Sequence, residues 1–359
     1  MKSAGLLELH ARLVATRSVS GEEEAIANFV TAYLDERGAP SERLGNSLLA
    51  FRGRPPGTAP MVVLNSHLDT VPASPGWTRD PWQVDKADGR IYGLGANDAK
   101  AAVAAMITAF LALPKDLPFT VALALAEGEE TKGVGSIRLT GELKQRGLEP
   151  AAVVVGEPTR LDVAIAQKGL LILELVEQGE AAHAAHAQRL GVNNAIRALG
   201  RDLVALETVD LGPEHPQLGR ITCEPTMLKG GTARNVVPAE ASVVLDVRTV
   251  PGEPYERLVS RLQEKVEGEI RVLSDRLRPC GTEENSELVR CALVARPEAK
   301  LYGSPTLSDW VYFRDFPTIK VGPGDSDRSH RPDEYVLEKE LEAGAAFYSA
   351  LLAALGDSW

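Results

Sequence analysis

Two histidines and three carboxylates lie far apart in this chain, yet each stands where a folded sheet could present it. His67 follows the apolar run Met61–Leu64 and opens His67-Leu68-Asp69-Thr70. Glu130 closes the stretch Val121–Glu130, and Glu157 follows Ala152–Val155 and Gly156. His330 comes shortly after Thr318–Gly322, and Asp98 stands at the mouth of the alanine-rich stretch Ala99–Leu113. Ligands of open parallel sheets bind outside the carboxyl ends of the strands, so residues at these run ends converge on one rim. Imidazole and carboxylate together suit zinc, cobalt or manganese. One shared aspartate, with one histidine and one glutamate per ion, fills three positions on each of two ions and leaves room for a bridging water. Two ions about 3.5–4 Å apart lower the pKa of that water and polarise a carbonyl. Such a site needs an unligated acid–base group as well, and adjacent Glu129 and Glu130 offer a base and a ligand in one turn.

Taken singly, each residue has a plainer reading. His67 could be a structural histidine, and Asp98 a helix cap. Glu129-Glu130 could be a solvated pair, Glu157 a surface charge and His330 a loop residue. Asp69 tips the balance at His67, because alternate strand residues share a face and a metal-binding histidine wants a carboxylate on its other nitrogen.

The elements that must position these residues follow from hydrophobic period. Residues 6–34 show helical spacing interrupted at Ser18-Val19-Ser20-Gly21, and Ser20 with Glu23 reads as a capping box for a second helix. From about Met61 to Glu157 apolar strands alternate with helix-like stretches, the mark of an α/β sheet with helices on both faces. After Glu157 the rhythm changes. Gly169–Gln178 alternates like a half-exposed strand, Asn194–Thr208 is helical, and Gly219–Leu228 and Ala241–Val250 read as strands. Pro254–Glu267 is helical again and Glu269–Leu273 is a short strand. That order, β-α-β-β-α-β, is the split unit of ferredoxin-like domains. The α/β pattern resumes with Ser286–Ala295, Pro317–Val321 and a closing helix Glu338–Leu355. The expectation is a mainly parallel catalytic sheet flanked by helices over residues 1–166 and 276–359, with a ferredoxin-like domain inserted at 167–275.

Composition narrows the class. A length of 359 residues exceeds one ordinary core and suggests about two domains. The cysteines, Cys223, Cys280 and Cys291, are scattered and give neither a disulfide framework nor a CxxC zinc site, so histidine and carboxylate must hold any metal. A net charge of −11 argues against nucleic acid, which needs clustered lysine and arginine. No apolar stretch is long enough to span a bilayer, and Met1-Lys2-Ser3 opens no charged-then-apolar leader. The expectation is a cytoplasmic enzyme with no membrane partner.

Carried by these motifs, the chain resembles, over essentially its whole length, the di-zinc aminoacylase, carboxypeptidase and deacetylase family that includes acetylornithine deacetylase and succinyl-diaminopimelate desuccinylase. The resemblance implies two divalent ions, zinc with cobalt as a substitute. His67 and Glu157 would hold one, Glu130 and His330 the other, and Asp98 would bridge. Glu129 would be the general base and Asp69 would orient His67. Gly179–Ala184 resembles the lid segment whose histidine stabilises the tetrahedral intermediate, here His183, with His186 as the rival. Gly230-Gly231, Asn235–Pro238 and Asp246–Arg248 resemble the substrate segment, where Asn235 and Arg248 would grip a free α-carboxylate. An arginine fork suits that task because it binds carboxylate bidentately. The loops at Gly303–Asp309 and Gly322–Gly324 resemble those that close around substrate, their glycines letting backbone approach the ligand. The inserted domain would serve as lid and as the surface of a homodimer.

His67–Pro72, Gly76–Trp82 and Gly93–Asp98 look most like acetylornithine and acetylcitrulline deacetylases. The implied activity is removal of an acyl group from an N-α-acyl amino acid in arginine biosynthesis. The alternatives are a deacylase of a lysine-pathway intermediate, of acetyl-lysine or of succinyl-diaminopimelate, a dipeptidase or carboxypeptidase with the same site, and a metal-binding protein without turnover. Two positions depart from the family pattern: Ala101 stands where a glycine is usual, and Gly128 where an acidic residue is usual.

Overall fold

The structure is a computed structural model that describes residues 3–114 and 116–359; the leader reading at Met1-Lys2 therefore lies outside the described residues. The chain forms two units. The first comprises residues up to Ile165, Gly281–Tyr302 and Ser308–Trp359, and the second Ala166–Cys280 with Gly303–Leu307.

In the first unit, helices α1 (Ser3–Ala15) and α2 (Glu24–Asp35) lead to strands β1 (Ser41–Leu44), β2 (Ser47–Gly53) and β3 (Met61–His67). The short strands β4 (Asp85–Ala87) and β5 (Arg90–Tyr92) precede α3 (Lys100–Ala112), β6 (Thr120–Ala126), α4 (Val134–Gln145), β7 (Ala152–Val155) and β8 (Val163–Gln167). The second unit carries β9 (Gly169–Gln178), β10 (Ala182–His183), α5 (Ala187–Leu190), α6 (Ala195–Leu206), β11 (Thr222–Gly230), β12 (Val236–Val237), β13 (Glu240–Thr249), α7 (Tyr255–Gln263) and β14 (Glu269–Leu277). After β15 (Cys280–Gly281) come α8 (Glu287–Ala295), β16 (Leu301–Ser304), β17 (Thr318–Lys320), β18 (Tyr335–Leu337) and α9 (Glu338–Ser358).

The main sheet runs β1-β2-β6-β3-β7-β17-β8 and is parallel across β6, β3, β7 and β17. Register explains the site. His67 lies opposite Ala126, Asn65 opposite Val155, and Val155 opposite Lys320, so the carboxyl ends of four strands finish at one rim. β3, β6 and β7 are buried along their whole length, as parallel strands covered on both faces must be. Helix α3 is buried from Lys100 to Phe110, and its alanines let it lie close to α1, α9, β3 and β6. Each fully buried Leu, Ile or Phe of this core contributes roughly 1.5–3 kcal/mol. The result is a rigid floor from which loops project.

One local expectation is corrected, and one plainer reading falls away. Ser20 does not cap α2: its hydroxyl donates to Asp69 Oδ2 at 2.7 Å, and the N-cap residue is Glu23, without a side-chain cap bond. Nor does Asp98 cap α3, whose N-cap is Ala99. Both polar side chains are drawn instead toward the rim.

The second unit has its own core around a four-stranded antiparallel sheet, order β11-β13-β9-β14. Leu171, Leu173 and Leu175 of β9 pack with Val243, Leu245 and Val247 of β13, beneath Leu199 of α6 and Leu258 and Leu262 of α7. Asn194 caps α6, its Oδ1 accepting from the Ile196 and Arg197 amides at 3.0 and 3.3 Å. β11 and β14 are the edges, and they expose Met227, Leu228, Val272 and Leu273.

Candidate metal centre

At the rim of the first unit the structure brings together His67, Asp98, Glu129, Glu130, Glu157 and His330. His67 ends β3 with its side chain 1% exposed. Its Nδ1 faces the Asp69 carbonyl at 3.0 Å, and its Nε2 points to Asp98 Oδ1 at 3.3 Å and Glu157 Oε1 at 4.0 Å. His330 Nε2 lies 3.0 Å from Glu130 Oε1 and 3.8 Å from Asp98 Oδ2. Three groups of donor atoms fall within 4.8 Å of one another: His67, Asp98 and Glu157; Asp98, Glu130 and His330; and His67, Glu129 and Glu130. The first two share Asp98. His330 is 52% exposed while Asp98, Glu130 and Glu157 are only 10–13% exposed, so the centre opens to solvent on the His330 side.

The loops that carry these groups are themselves held by buried carboxylates. Asp69 is fully buried; its Oδ1 accepts from the Glu129 amide at 3.1 Å, and its Oδ2 from the Glu130 amide at 3.2 Å and from Ser20. Asp69 thus aims the glutamate pair, with its carboxylate 3.5 Å from His67 Nδ1 and its own carbonyl closer to that ring. Gly128, at φ +65°, makes the turn into the pair, which accounts for glycine where an acidic residue is usual. Glu334, also buried, accepts from the amides of Gly95, Asn97 and Asp98 at 3.1, 2.9 and 2.9 Å. The sequence reading missed Glu334; a charged residue set directly before the strand Tyr335–Leu337 was the signal for it.

Electrostatics suit a cation. Burial opposes the charge on His67, yet its hydrogen bonds to the Asp69 and Asp98 carboxylates and the charges of Glu129 and Glu157 outweigh it and hold the imidazole well above its ordinary pKa. Burial, reinforced by Asp98, pushes Glu157 up to about 8. Glu129 is raised well above the usual carboxylate range by burial and by Glu157, Asp309 and Glu130, against the opposing charge of His67. Burial also lifts Asp309, on the turn Asp309–Tyr312, to about 6. His330 is raised to about 9, chiefly by its hydrogen bond to Glu130. Carboxylates crowded into a buried rim repel one another, and divalent cations are the natural neutralising partner for a donor set of imidazole and oxygen.

Of the other sequence-predicted residues, His183, Asn235, Arg248 and Gly303 belong to the second unit and Gly322 to the first. His183, on β10, pairs in register with Val236, and the Ala184 amide donates to the Asn235 carbonyl at 2.9 Å, so His183 and Asn235 are neighbours in the second unit. His183 is exposed; its Nδ1 accepts from the Ala185 amide at 3.2 Å, which leaves the ring hydrogen on Nε2. Arg248, on β13, forks onto Asp246 at 2.7 and 3.1 Å. Gly303 and Gly322 have a packing explanation. A Cβ at Gly303 would lie 2.4 Å from the Gln217 carbonyl oxygen, and one at Gly322 2.6 Å from the Glu157 carbonyl oxygen. Close approach of this chain to itself leaves no room for a side chain at either position.

The sequence profile of peptidase family M20/M25/M40 matches residues 63–354. The chain belongs to this family of metal-dependent hydrolases acting on amide bonds. Over 97% of its length it is 27% identical to a peptidase M20 domain-containing protein of Schizosaccharomyces pombe, covering 84% of that protein. Over 70% of its length it is 33% identical to a protein of Aspergillus flavus named as a probable carboxypeptidase, of which it covers 65%. Among solved structures it resembles the aminopeptidase PepT of Bacillus cereus, with a TM-score of 0.81 at 19% identity and 99% coverage of both chains. It also resembles the YXEP protein of Bacillus subtilis, described as a dinuclear metal binding peptidase, with a TM-score of 0.73 at 17% identity and 98% coverage of both. These similarities place the fold among mixed α/β structures of M20 type.

Proposed function

We propose that this protein is a two-metal amidohydrolase that removes the acyl group, acetyl by preference, from a small N-α-acyl amino acid such as acetylornithine or acetylcitrulline. The observation that carries this reading is the pair of donor triads sharing Asp98, with Glu129 set beside them. In it, His67 and Glu157 would hold one ion, Glu130 and His330 the other, and Asp98 both; the donors suit zinc, with cobalt as a substitute. Bound ions would polarise the amide carbonyl and bring water into the range where a carboxylate can deprotonate it. Glu129 takes that proton and returns it to the leaving amine. Its burial and the upward shift of its pKa favour holding a proton between the two steps. A protein that only stored metal would need no such base.

The second unit, with strand order β11-β13-β9-β14 and element order β-α-β-β-α-β, fits a ferredoxin-like lid, taken as 167–275 with the catalytic domain on either side. His183 would stabilise the oxyanion through its Nε2 hydrogen, and Asn235 and Arg248 would hold the free carboxylate. Exposed Met227 and Leu228 on edge strand β11 support a homodimer formed through this unit. None of the helices among the described residues is long and apolar enough to cross a membrane, and none of the three cysteines forms a disulfide, which supports a cytoplasmic placement.

A second reading, cleavage of a dipeptide or of a carboxy-terminal residue, draws support from relatives and neighbours named as carboxypeptidases and peptidases. Both reactions open an amide, and they differ in what lies on its acyl side. The test is amine release from acetylornithine, acetylcitrulline, acetyl-lysine, succinyl-diaminopimelate and a dipeptide, using chelated protein reconstituted with zinc or cobalt. Fastest cleavage of an acetyl amino acid is expected, and fastest cleavage of the dipeptide would transfer the assignment to the second reading.

A further inference from the structure

Residues 93–98 carry Asp98 to the rim, and five of this loop's six backbone amides donate to groups outside it. The Gly93 amide donates to the Glu334 carbonyl at 3.0 Å, and the His10 ring, from α1, meets the Ala96 carbonyl at 2.8 Å. The amides of Asn97 and Asp98 both end on Glu334 Oε1, and that of Gly95 on Oε2. Asn97 then ties the loop to the segment before His330: its Nδ2 donates to the Asp325 carbonyl at 3.0 Å and lies 3.1 Å from Ser329 Oγ, while its Oδ1 accepts from the Asp325 amide at 2.8 Å. Glu334 itself is 2% exposed and stands four residues after His330. A carboxylate surrounded by successive backbone N–H groups is held as an anion is held in a nest, and it holds the loop in return.

We propose that Glu334 is the positioning residue of the metal centre: through three amide bonds it sets the Asp98 carboxylate between the two ion positions and fixes the spacing from Asp98 to His330 before any ion arrives. This rests on reading Asp98 as the ligand common to both ions. Glu334 belongs to none of the donor triads and acts through the Asp98 backbone. Groups that orient ligands typically change metal affinity about 10–100-fold when replaced. In Glu334→Gln one oxygen becomes an amide nitrogen, so either Gly95 or the Asn97–Asp98 pair faces a donor instead of an acceptor.

The test has two arms. In metal-free wild-type protein, hydrogen exchange of the Gly95, Asn97 and Asp98 amides should be slow, and in metal-free Glu334→Gln it should rise at least about tenfold. In zinc competition against a chelator, Glu334→Gln should lose about 10–100-fold in affinity. A merely structural Glu334 would lower the melting temperature of the metal-free protein and leave zinc affinity unchanged, which would overturn the proposal. Fast exchange of these amides in the metal-free wild type would overturn it too, and that measurement stands even where the variant fails to fold. Wild-type protein that keeps slow exchange yet takes up no zinc would sink the two-metal reading instead, so the two failures are distinct.

Discussion

Replacing Asp69 by asparagine tests whether the loop bearing the base is held by charge. Asp69 accepts the Glu129 amide on one oxygen, and the Glu130 amide and the Ser20 hydroxyl on the other. An amide side chain offers a single acceptor oxygen, so either rotamer leaves at least one backbone N–H facing a donor. A hydrogen bond to a charged group contributes about 1.5–3 kcal/mol. Loss of one such bond therefore shifts the loop equilibrium by about 10- to 150-fold. The expected outcome for Asp69→Asn, saturated with zinc, is a fall of that size in kcat/KM on the best substrate of the panel. Ser20→Ala, which removes only the hydroxyl donor and leaves both amides satisfied, should fall toward the low end, about tenfold or less. The assay is initial-rate amine release at matched metal occupancy, with occupancy confirmed by elemental analysis. A kcat/KM for Asp69→Asn within twofold of wild type at full occupancy would refute the reasoning.

Glu129→Gln should retain both ions and lose about 10²–10⁴-fold in kcat, the range of general acid–base catalysis; unchanged turnover would remove Glu129 from its role. In the metal-free protein, His330 at about 9 and Glu157 at about 8 bind protons in the folded state that the unfolded chain releases above their ordinary values of 6.5 and 4.5. Their contribution is full below those ordinary values and disappears as pH rises through the folded ones. Lys100, pushed down by burial to about 7, works in the opposite sense above that pH, so thermal melts should show apo stability falling from about pH 4.5 to about 8, most steeply near pH 6.5–7. Zinc affinity should rise over the same interval, because ions displace those protons; a flat apo melting curve would contradict the assignment. Leu228→Glu on the exposed edge strand should convert a dimer to a monomer in sedimentation, and wild-type protein that is already monomeric would end the dimer proposal.

Much of the rim could be read from the chain because parallel strands announce themselves. Met61–Leu64, Val121–Ala126 and Ala152–Val155 are unbroken apolar runs, and whatever follows such a run must emerge at the carboxyl edge. His67 and Glu157 stand within two residues of strand ends, so their convergence follows from pleat and register alone. What local pattern does not carry is partner choice across long separations. Ser20 with Glu23 has the spacing of a capping box, yet Asp69, 49 residues on, competes successfully for the hydroxyl. Glu334 gave no periodic signal, since its partners lie 236–239 residues earlier. At Gly303 and Gly322 a side chain would meet the carbonyls of Gln217 and Glu157, neighbours that no spacing rule connects. Gly303–Leu307 likewise joins the second unit after a long excursion through the first, and nothing in its residues marks that return.

The placement of β17 bears on how the chain reaches this state during synthesis. β17 lies between β7 and β8, pairing in parallel with the one and antiparallel with the other, although those two strands are close neighbours in sequence. Until residues 318–320 leave the ribosome, β7 keeps an unpaired edge beside an already apolar β3, the kind of edge that invites pairing with another chain. His330 follows only ten residues behind that strand. Closing the sheet and delivering His330 to the rim are therefore nearly one event in synthesis. A nascent chain released before these residues would carry both an open edge and a rim without His330, a form that chaperones and proteases would meet first.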